Sequence, residues 1–393
     1  MKKIILLLMI LLLAAAVYAQ KPEDFKVAQL PDNTIKITKY NGSVMNVVIP
    51  DTIQGQKVTA IGEGVFSQVR VTRVVIPEGV TEIVDGLFKF CGTLTNVTLP
   101  STLTEIGKEA FYGCGALTTI TLPPNLKKIR RAAFSGSGLK TIVIPEGITE
   151  IEESVFVGCN QLTTITLPST IAKINQTAFY GCSALTAITL PSNLKEIERA
   201  AFSGTGLKNI VIPEGVTEIG EGVFIRCLQL TAVTLPSTLT EIGAEAFFEC
   251  IALTAITLPK TLIKIGANAF ENSGLRSIVI PEGVTKIEKR AFAGSGLRSI
   301  VIPEGLTKIE ESVFVGCNQL TTITLPSTLT AIDYEAFNSC SALVTINIPA
   351  ALTEINWTWG DRIYPNNNAF MRCSKIPPAT QAKLKELGYE GRF

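Results

Sequence analysis

The stretch from Leu162 to Cys182, LTTITLPSTIAKINQTAFYGC, decides the fold. Polar and apolar residues alternate from Thr164 to Leu167, which is typical of a strand with one buried face. Pro168 ends this strand because proline cannot donate to a β-ladder. The apolar positions after the proline can close a core above the strand; they are Ile171, Ile174, Phe179 and Cys182. One such unit is too small to bury its own hydrophobic face, so it must stack on others like itself.

The stretch is repeated along most of the chain. Its proline recurs at Pro50, Pro77, Pro100, Pro123, Pro145, Pro168, Pro191, Pro213, Pro236, Pro259, Pro281, Pro303, Pro326 and Pro349. After the first step, every spacing between these prolines is 22 or 23 residues. The phenylalanine recurs at Phe66, Phe88, Phe111, Phe134, Phe156, Phe179, Phe202, Phe224, Phe247, Phe270, Phe292, Phe314 and Phe337, and then at Phe370.

A period of about 20 to 29 residues with the pattern L-x-x-I-x-L is typical of a leucine-rich-repeat solenoid. The sequence therefore predicts a repeat solenoid, a right-handed coil or horseshoe with a parallel β-sheet on one face. We expect it to be mostly β, with little helix.

The repeat also resembles a named family. Residues 230–250, LTAVTLPSTLTEIGAEAFFEC, fit the motif L-x-x-I-x-L-P-x-x-L-x-x-I-x-x-x-A-F-x-x-C. This motif resembles the treponemal-type leucine-rich repeats of BspA-like bacterial surface proteins, and the resemblance covers roughly residues 47–375. The resemblance implies a secreted or cell-surface protein of the adhesin type, for which binding of host matrix proteins is the usual proposal. It supplies no catalytic residues.

The N-terminus predicts export. Lys2 and Lys3 precede an apolar run from Ile4 to Val17, and Ala19 follows at a small-residue cleavage site. This pattern predicts a signal peptide over residues 1–19, too short and wrongly flanked to be a good membrane span. No later apolar stretch is long enough to span a bilayer, so we expect a secreted or cell-surface protein. A net charge of +1 argues against general attraction to nucleic acid or anionic membrane.

The rest of the chain divides into three parts. Residues 20–46 contain two turn signals between strand-like runs and predict a hairpin cap over the open end of the stack. Residues 47–355 are the solenoid. Residues 356–393 contain an aromatic insertion, the last repeat remnant and a short helix that completes a second cap.

The nine cysteines occupy one slot of the repeat, three residues after the phenylalanine. They are Cys91, Cys114, Cys159, Cys182, Cys227, Cys250, Cys317, Cys340 and Cys373. Adjacent coils lie about 5 Å apart, so disulfides between neighbours are within reach. We favour a column of buried free thiols that serve as small apolar core residues. Zinc is disfavoured because C-x-x-C pairs and histidine are both absent, and no metal site is predicted.

The outward positions of the repeated strand are the best candidates for a ligand-binding surface. They form a ribbon of small side chains, and the candidates on it are Thr119, Thr121, Thr164, Thr166, Thr322 and Thr324. One interpretation is an extended docking face for a protein or glycan. The other is cross-strand threonine packing that only favours strand formation.

Coils that lack the cysteine are one residue shorter and carry a basic residue before the strand. Arg276 and Arg298 are in adjacent coils and are the best pair for guiding a partner. The same coils carry a glutamate after the proline, at Glu146, Glu214, Glu282 and Glu304. A solvated charged rim is the alternative interpretation of all these residues.

The repeat is interrupted near its end by an insertion, NWTWGDRIYPNNNA, after Ile355. It holds Trp357, Trp359 and Tyr364, and it stands in an otherwise aromatic-poor surface. Aromatic residues in a loop favour contact with a protein or a carbohydrate. Alternatively, the two tryptophans lie over the last coil and seal it.

The sequence contains no arrangement typical of catalysis. The absence of histidine removes Ser-His-Asp and Cys-His systems and most zinc catalysis. The adjacent acidic pairs Glu152-Glu153 and Glu310-Glu311 lack the fixed separation across a cleft that glycosidases need. No phosphate loop or dinucleotide fingerprint is present. We predict no enzymatic activity, no catalytic residues and no cofactor.

These observations favour an exported, non-catalytic repeat protein that binds an extracellular protein or glycan in an adhesin-like role. Its expected partner is a matrix-type protein or a glycan, with no nucleic acid and no membrane span after signal cleavage. The alternative is a structural surface spacer or self-associating layer protein without a specific ligand. Nothing in the sequence specifies an oligomeric state.

Overall fold

The computed structural model describes residues 21–355, 357–359, 362–364 and 368–393, with the backbone alone for 357–359 and 362–364. The signal peptide predicted for residues 1–19 lies outside the described residues. The same holds for residues 356, 360–361 and 365–367 of the aromatic insertion.

The fold is a parallel β-solenoid of about 14 turns with almost no helix, which confirms the predicted fold class. The chain forms two compact units. Of the described residues, those of 21–171 and 178–185 form the first unit, and those of 172–177 and 186–393 form the second.

The first unit begins with a short 3₁₀-helix at Pro22–Asp24. Its described strands are β1 (Phe25–Gln29), β2 (Ile35–Tyr40), β3 (Asn46–Val48), β4 (Thr52–Ile53), β5 (Gln56–Ile61), β6 (Arg73–Val75), β7 (Glu82–Ile83), β8 (Asn96–Thr98), β9 (Glu105–Ile106), β10 (Lys128–Ile129), β11 (Thr141–Val143), β12 (Glu150–Ile151) and β13 (Thr164–Thr166). Strands β1 and β2 form an antiparallel hairpin, and β2 pairs in parallel with β5.

The second unit has the same repeated pattern and ends in a helix. Its described strands are β14 (Lys173–Ile174), β15 (Glu196–Ile197), β16 (Asn209–Val211), β17 (Glu218–Ile219), β18 (Ala232–Thr234), β19 (Glu241–Ile242), β20 (Lys264–Ile265), β21 (Lys286–Ile287), β22 (Ser299–Val301), β23 (Lys308–Ile309), β24 (Thr322–Thr324), β25 (Ala331–Ile332), β26 (Thr345–Ile346), β27 (Trp357–Trp359) and β28 (Arg362–Tyr364). Helix α1 spans Pro378–Glu386 and buries Leu384.

Most coils contribute a strand before the proline and a two-residue strand after it, and some contribute only an isolated bridge at one of these places, such as Thr119 with Thr141. The pre-proline strands pair in parallel with the equivalent strands of adjacent coils, as in β3-β6-β8 of the first unit and β22-β24-β26 of the second. The post-proline strands form further parallel ladders, such as β17-β19-β20-β21. In β13, Ile165 points inward and its neighbours Thr164 and Thr166 are exposed, as the alternation predicts.

The repeated phenylalanines form a continuous column inside each unit. From Phe66 to Phe179, adjacent ring centroids are 5.3 to 5.8 Å apart. From Phe202 to Phe370 they are 5.2 to 5.9 Å apart. The spacing follows from the repeat, because stacked coils place identical residues about one strand spacing apart. Every ring of the two columns is completely buried.

Aromatic side chains continue the column at both ends. At the N-terminal end, Tyr40 of β2 packs on Phe66 with ring centroids 5.3 Å apart. At the other end, Tyr389 packs edge-on against Phe370 at 5.5 Å and is only 1% exposed. We propose that the N-terminal hairpin and the segment after α1 cap the hydrophobic interior of their respective units.

Each coil turns through two residues in the left-handed backbone conformation, two positions before and two positions after the phenylalanine. In the coil of Phe156, these residues are Ser154 (φ 60°) and Gly158 (φ 67°). The position after the phenylalanine, called here the turn slot, is glycine in seven coils: Gly113, Gly136, Gly158, Gly181, Gly204, Gly294 and Gly316. Glycine suits this slot because it has no Cβ to clash in the left-handed conformation.

Candidate functional site

The predicted threonines of the first unit lie on the exposed side of the pre-proline strands. Thr119 is opposite Thr141, and Thr141 is opposite Thr164, so the three threonines form one row over three coils. Thr166 is opposite Val143 in the next row. Thr119, Thr121, Thr164 and Thr166 are all exposed. The structure thus places these four candidates on one face of the first unit.

The second unit presents an equivalent face. Ser299 is opposite Thr322, and Val301 is opposite Thr324. Thr324 is exposed and Thr322 is half-buried. We call the outward side chains of the pre-proline strands in either unit the threonine face. In both units most of its residues are small, such as Thr164 and Ser299.

Arg276 and Arg298 meet at the edge of this face in the second unit. The backbone N–H of Arg298 donates to the carbonyl of Arg276 at 3.2 Å, and both side chains are exposed. Within the described part of the chain, neither guanidinium has an ion pair with a carboxylate. An exposed valine follows each arginine by three residues in the same coil. Val279 is 83% exposed and Val301 is 62% exposed. Charge and apolar surface therefore lie side by side.

The aromatic candidates of the insertion are only partly described. Strands β27 and β28 pair as an antiparallel ribbon in which Trp357 is opposite Tyr364 and Trp359 is opposite Arg362. The side chains of Trp357, Trp359 and Tyr364 lie outside the described residues. Their role in ligand binding stays a prediction.

The glutamates after the prolines tie adjacent coils together. Glu214 accepts hydrogen bonds from the backbone N–H and the hydroxyl of Ser237, both at 3.0 Å. Glu304 and Ser327 repeat the arrangement at 2.9 Å. The backbone N–H of the serine is the main cause of a lowered pKa in each glutamate. These two carboxylates are therefore engaged within the protein, rather than forming the purely solvated rim considered from the sequence.

The post-proline strands carry a second, charged surface. Lys173 contacts Glu196 at 3.0 Å and Glu198 at 2.7 Å, and hydrogen bonds to these carboxylates raise the pKa of Lys173. A groove of about 510 Å³ opens beside these residues and is also lined by Arg199 and Glu221. Arg199 and Glu221 are themselves paired at 3.1 Å. Exposed pairs of this kind contribute little to stability, about 0 to 1 kcal/mol each.

All nine cysteines are buried and free in the structure. Cys159 Sγ donates to the carbonyl of Phe134 in the preceding coil at 3.1 Å, and Cys182 does the same to Phe156. Burial raises the pKa of Cys159 to about 11 and raises that of Cys182 further. A thiol with a raised pKa is a poor nucleophile and a poor metal ligand near neutral pH. The column therefore acts as core packing in the reduced protein.

A cluster that the sequence analysis missed lies on the first unit. Phe90 occupies the turn slot with φ 59°, and the residue is 50% exposed. Its ring centroid is 5.2 Å from that of Tyr112, edge to face. The ammonium of Lys89 lies 5.7 Å from the Phe90 centroid and 5.5 Å from that of Tyr112, and it pairs with Glu109. The available signal was an aromatic residue at a position where the other coils carry glycine or a polar residue.

Two further properties concern the described residues as a set. No helix among them combines the length and the apolar character that a membrane crossing requires. In the same residues, His, Cys, Asp and Glu side chains form no group of three or more that could hold a metal ion.

Comparison with known families matches most of the chain. Residues 34–163, 149–274 and 240–377 match the family described as BspA type leucine-rich repeat region (6 copies). A comparison with curated protein sequences gives no match.

Solved structures of bacterial repeat proteins are also similar. A leucine-rich cell surface protein from Faecalibacterium prausnitzii A2-165 is 31% identical, with a TM-score of 0.56. This similarity covers 82% of the present chain and 93% of the other. A leucine-rich repeat protein from Bacteroides ovatus is 26% identical, with a TM-score of 0.68. This similarity covers 90% of the present chain and 92% of the Bacteroides ovatus chain.

Proposed function

The chain belongs to the BspA-type leucine-rich repeat family, and from this membership we propose that it is a non-catalytic surface protein that binds an extracellular protein or glycan. Residues 1–19 direct its export in this proposal, and the protein is then secreted or retained at the bacterial cell surface. The relative from Faecalibacterium prausnitzii is described as a cell surface protein, which supports this location. The role is adhesin-like, with attachment to a host or to another cell.

The observation that carries the proposal is the pair Arg276 and Arg298 at the edge of the threonine face. Most other arginines of the described chain are paired with carboxylates, for example Arg130 with Glu105 at 2.5 Å. The two arginines on adjacent coils have no such partner among the described residues. Arginine is enriched in binding interfaces because its planar fork binds carboxylates and carbonyls in fixed geometry. The nearby exposed valines add apolar contact area.

The remaining candidates extend this surface in the proposal. Thr322 and Thr324 continue it on the next coil of the second unit, where Thr324 is opposite Val301. The threonines of the first unit offer an equivalent face, and the insertion adds Trp357, Trp359 and Tyr364 as further contacts. A flat face of small side chains suits a large partner, because such a partner can lie across several coils at once.

Reversing the two charges tests the proposal. We expect the double substitution Arg276→Glu and Arg298→Glu to weaken binding to an extracellular matrix ligand by about tenfold or more, since interface arginines are often energetically dominant. Binding is measured by surface plasmon resonance against fibronectin, fibrinogen and a glycan array. The matched control is Lys127→Glu with Lys289→Glu, two exposed lysines outside the pre-proline strands, with the same change in net charge.

Equal binding by the wild-type protein and the Arg276/Arg298 variant contradicts this use of the threonine face. Absence of binding to every ligand, together with concentration-dependent self-assembly, supports the alternative of a structural spacer or layer protein. Sedimentation of the purified protein over a range of concentrations distinguishes this second outcome.

A further inference from the structure

Phe90 is costly for the fold in two ways. A bulky residue in the left-handed conformation is unusual, and Phe90 is the one aromatic residue in a turn slot that is glycine in seven described coils and polar in six. Phe90 is also a large apolar residue that is half exposed to water. Other coils also place non-glycine residues in the left-handed conformation, so the feature that distinguishes Phe90 is its exposed aromatic ring, a residue type enriched at binding surfaces.

The ring of Phe90 is held in place by the adjacent coil. A Cβ atom added to Gly113 would lie 2.8 Å from Cδ1 of Phe90, so the ring passes directly over this glycine. Tyr112 contacts the ring edge to face, and the Lys89 ammonium lies near both rings. The pair Phe90 and Tyr112 therefore forms a fixed aromatic corner with part of its surface open.

A recess opens beside this corner. Its volume is about 350 Å³, and its lining comprises Asp85, Gly86, Lys89, Lys108, Glu109 and Arg131. Lys89 belongs to both features, since it lines the recess and also contacts the aromatic pair. The recess is therefore adjacent to the exposed rings, and its size is at the lower end of ordinary ligand pockets, about 300 to 1,000 Å³.

The charges in the recess are nearly balanced. Lys89 pairs with Glu109, and Arg131 pairs with Glu153 at 3.3 Å. Asp85 accepts a hydrogen bond from the backbone N–H of Lys108 at 2.7 Å. The recess therefore lacks the excess of one sign that would select a polyanion.

A sugar ring matches this combination. A hexopyranose has an apolar C–H face, which packs on an aromatic ring, and hydroxyl groups at its edge that both donate and accept hydrogen bonds. We propose that Phe90, Tyr112 and the adjacent recess form a subsite for a neutral hexopyranose residue of an extracellular glycan. The inference deepens the proposed function, since it names a ligand class and a second surface on the first unit.

The substitution Phe90→Gly tests the subsite. It installs the residue that seven other coils carry in the turn slot, so the melting temperature should stay the same or rise. Affinity for the glycan should fall by about tenfold or more, because the aromatic surface is lost. The probes are neutral oligosaccharides, namely cellohexaose, laminarihexaose, maltohexaose and mannohexaose, titrated by calorimetry against the full chain.

Two further variants complete the design. Tyr180→Ala removes an equally exposed aromatic residue of the same unit, 48% exposed and outside the recess lining, and should leave glycan affinity unchanged. Lys108→Ala alters the recess without touching the aromatic pair and should weaken binding of the same oligosaccharide.

A lower melting temperature with unchanged glycan affinity in Phe90→Gly would show that the ring serves only packing and would overturn the inference. So would a wild-type protein that binds none of the neutral oligosaccharides. If such a protein still binds a matrix ligand through Arg276 and Arg298, the subsite is rejected while the proposed function stands. Retention of glycan binding by the Arg276/Arg298 double variant supports two separate surfaces.

Discussion

Replacing Phe111 by alanine is expected to cost about 3 to 5 kcal/mol of stability, the usual range for emptying a core aromatic site. The Phe111 ring is completely buried, with the Phe88 and Phe134 centroids each 5.3 Å away. Its removal breaks the ring column in the middle of the first unit and leaves a cavity between two coils. We expect a lower denaturation midpoint and faster amide exchange in the coils of Phe88 and Phe134.

The matched control is Tyr180→Ala, which removes an exposed aromatic side chain in the same unit. It should change stability by no more than about 0.5 kcal/mol. Amide exchange is the more informative readout because repeat proteins can unfold in parts and interact through nearest neighbours. A similar loss of stability in Phe111→Ala and Tyr180→Ala would contradict a buried ring column. It would mean that the position of an aromatic residue in the repeat does not determine how much its removal destabilises the protein.

Gly138→Ala is expected to destabilise the protein by about 3 kcal/mol, at the upper end for an overpacked site. Gly138 belongs to a short coil, where its N–H donates to the carbonyl of Cys114 at 3.1 Å. A Cβ there would overlap the carbonyl oxygen of Gly115 and lie 2.9 Å from the carbonyl carbon. Both obstacles are backbone atoms of the neighbouring coil, so they cannot move aside without separating the coils. Thermal denaturation measures the loss.

Gly115→Ala is the control for this substitution. No atom lies within 4 Å of a Cβ added at Gly115, and its φ is outside the left-handed region. Its replacement should be neutral or slightly stabilising, because alanine reduces the conformational entropy of the unfolded chain. If Gly138→Ala were equally neutral, this result would contradict the claim that short coils approach the backbone of their neighbours closely.

The fold was predictable because its buried positions recur with the repeat. Each coil repeats the same inward-facing apolar positions. Ile165, Phe179 and Cys182 are all buried, as the pattern predicts. The post-proline strands were not identified as strands. A segment such as Lys173–Ile174 is only two residues long and has no periodicity of its own. It becomes a strand because the stacked coils bring the backbone groups of equivalent segments into register.

Hydrogen bonds between side chains of adjacent coils could not be predicted from short stretches of sequence either. Glu214 and Ser237 are 23 residues apart in the sequence, yet they form a two-point hydrogen-bonded contact. The repeat period links such positions once the coils are known to stack. From the sequence alone, Glu214 was predicted only as a surface charge, because its partner lies in the next coil.

The candidate sites also differ in how far they could be predicted from the sequence. Exposure of Thr119, Thr164 and Thr324 follows from strand alternation, so their positions could be inferred from the sequence. The Phe90 cluster could not, because it depends on a left-handed backbone angle and on a ring lying over Gly113. Aligning the coils by their phenylalanines exposes the anomaly, since Phe90 then stands in a column that is otherwise rich in glycine.

Thiol labelling of the native protein tests most directly the central claim that the repeated inward positions share a closed interior. The nine buried cysteines are distributed from Cys91 to Cys373 and report on both units. With a pKa of about 11, as for Cys159, about one thiol in a thousand is ionised at pH 8. After brief exposure to iodoacetamide at pH 8, intact mass spectrometry should show no adduct on the folded protein and nine adducts after denaturation. Rapid labelling of the folded protein, or fewer than nine adducts after denaturation without reductant, would contradict the interior of free, buried thiols described here.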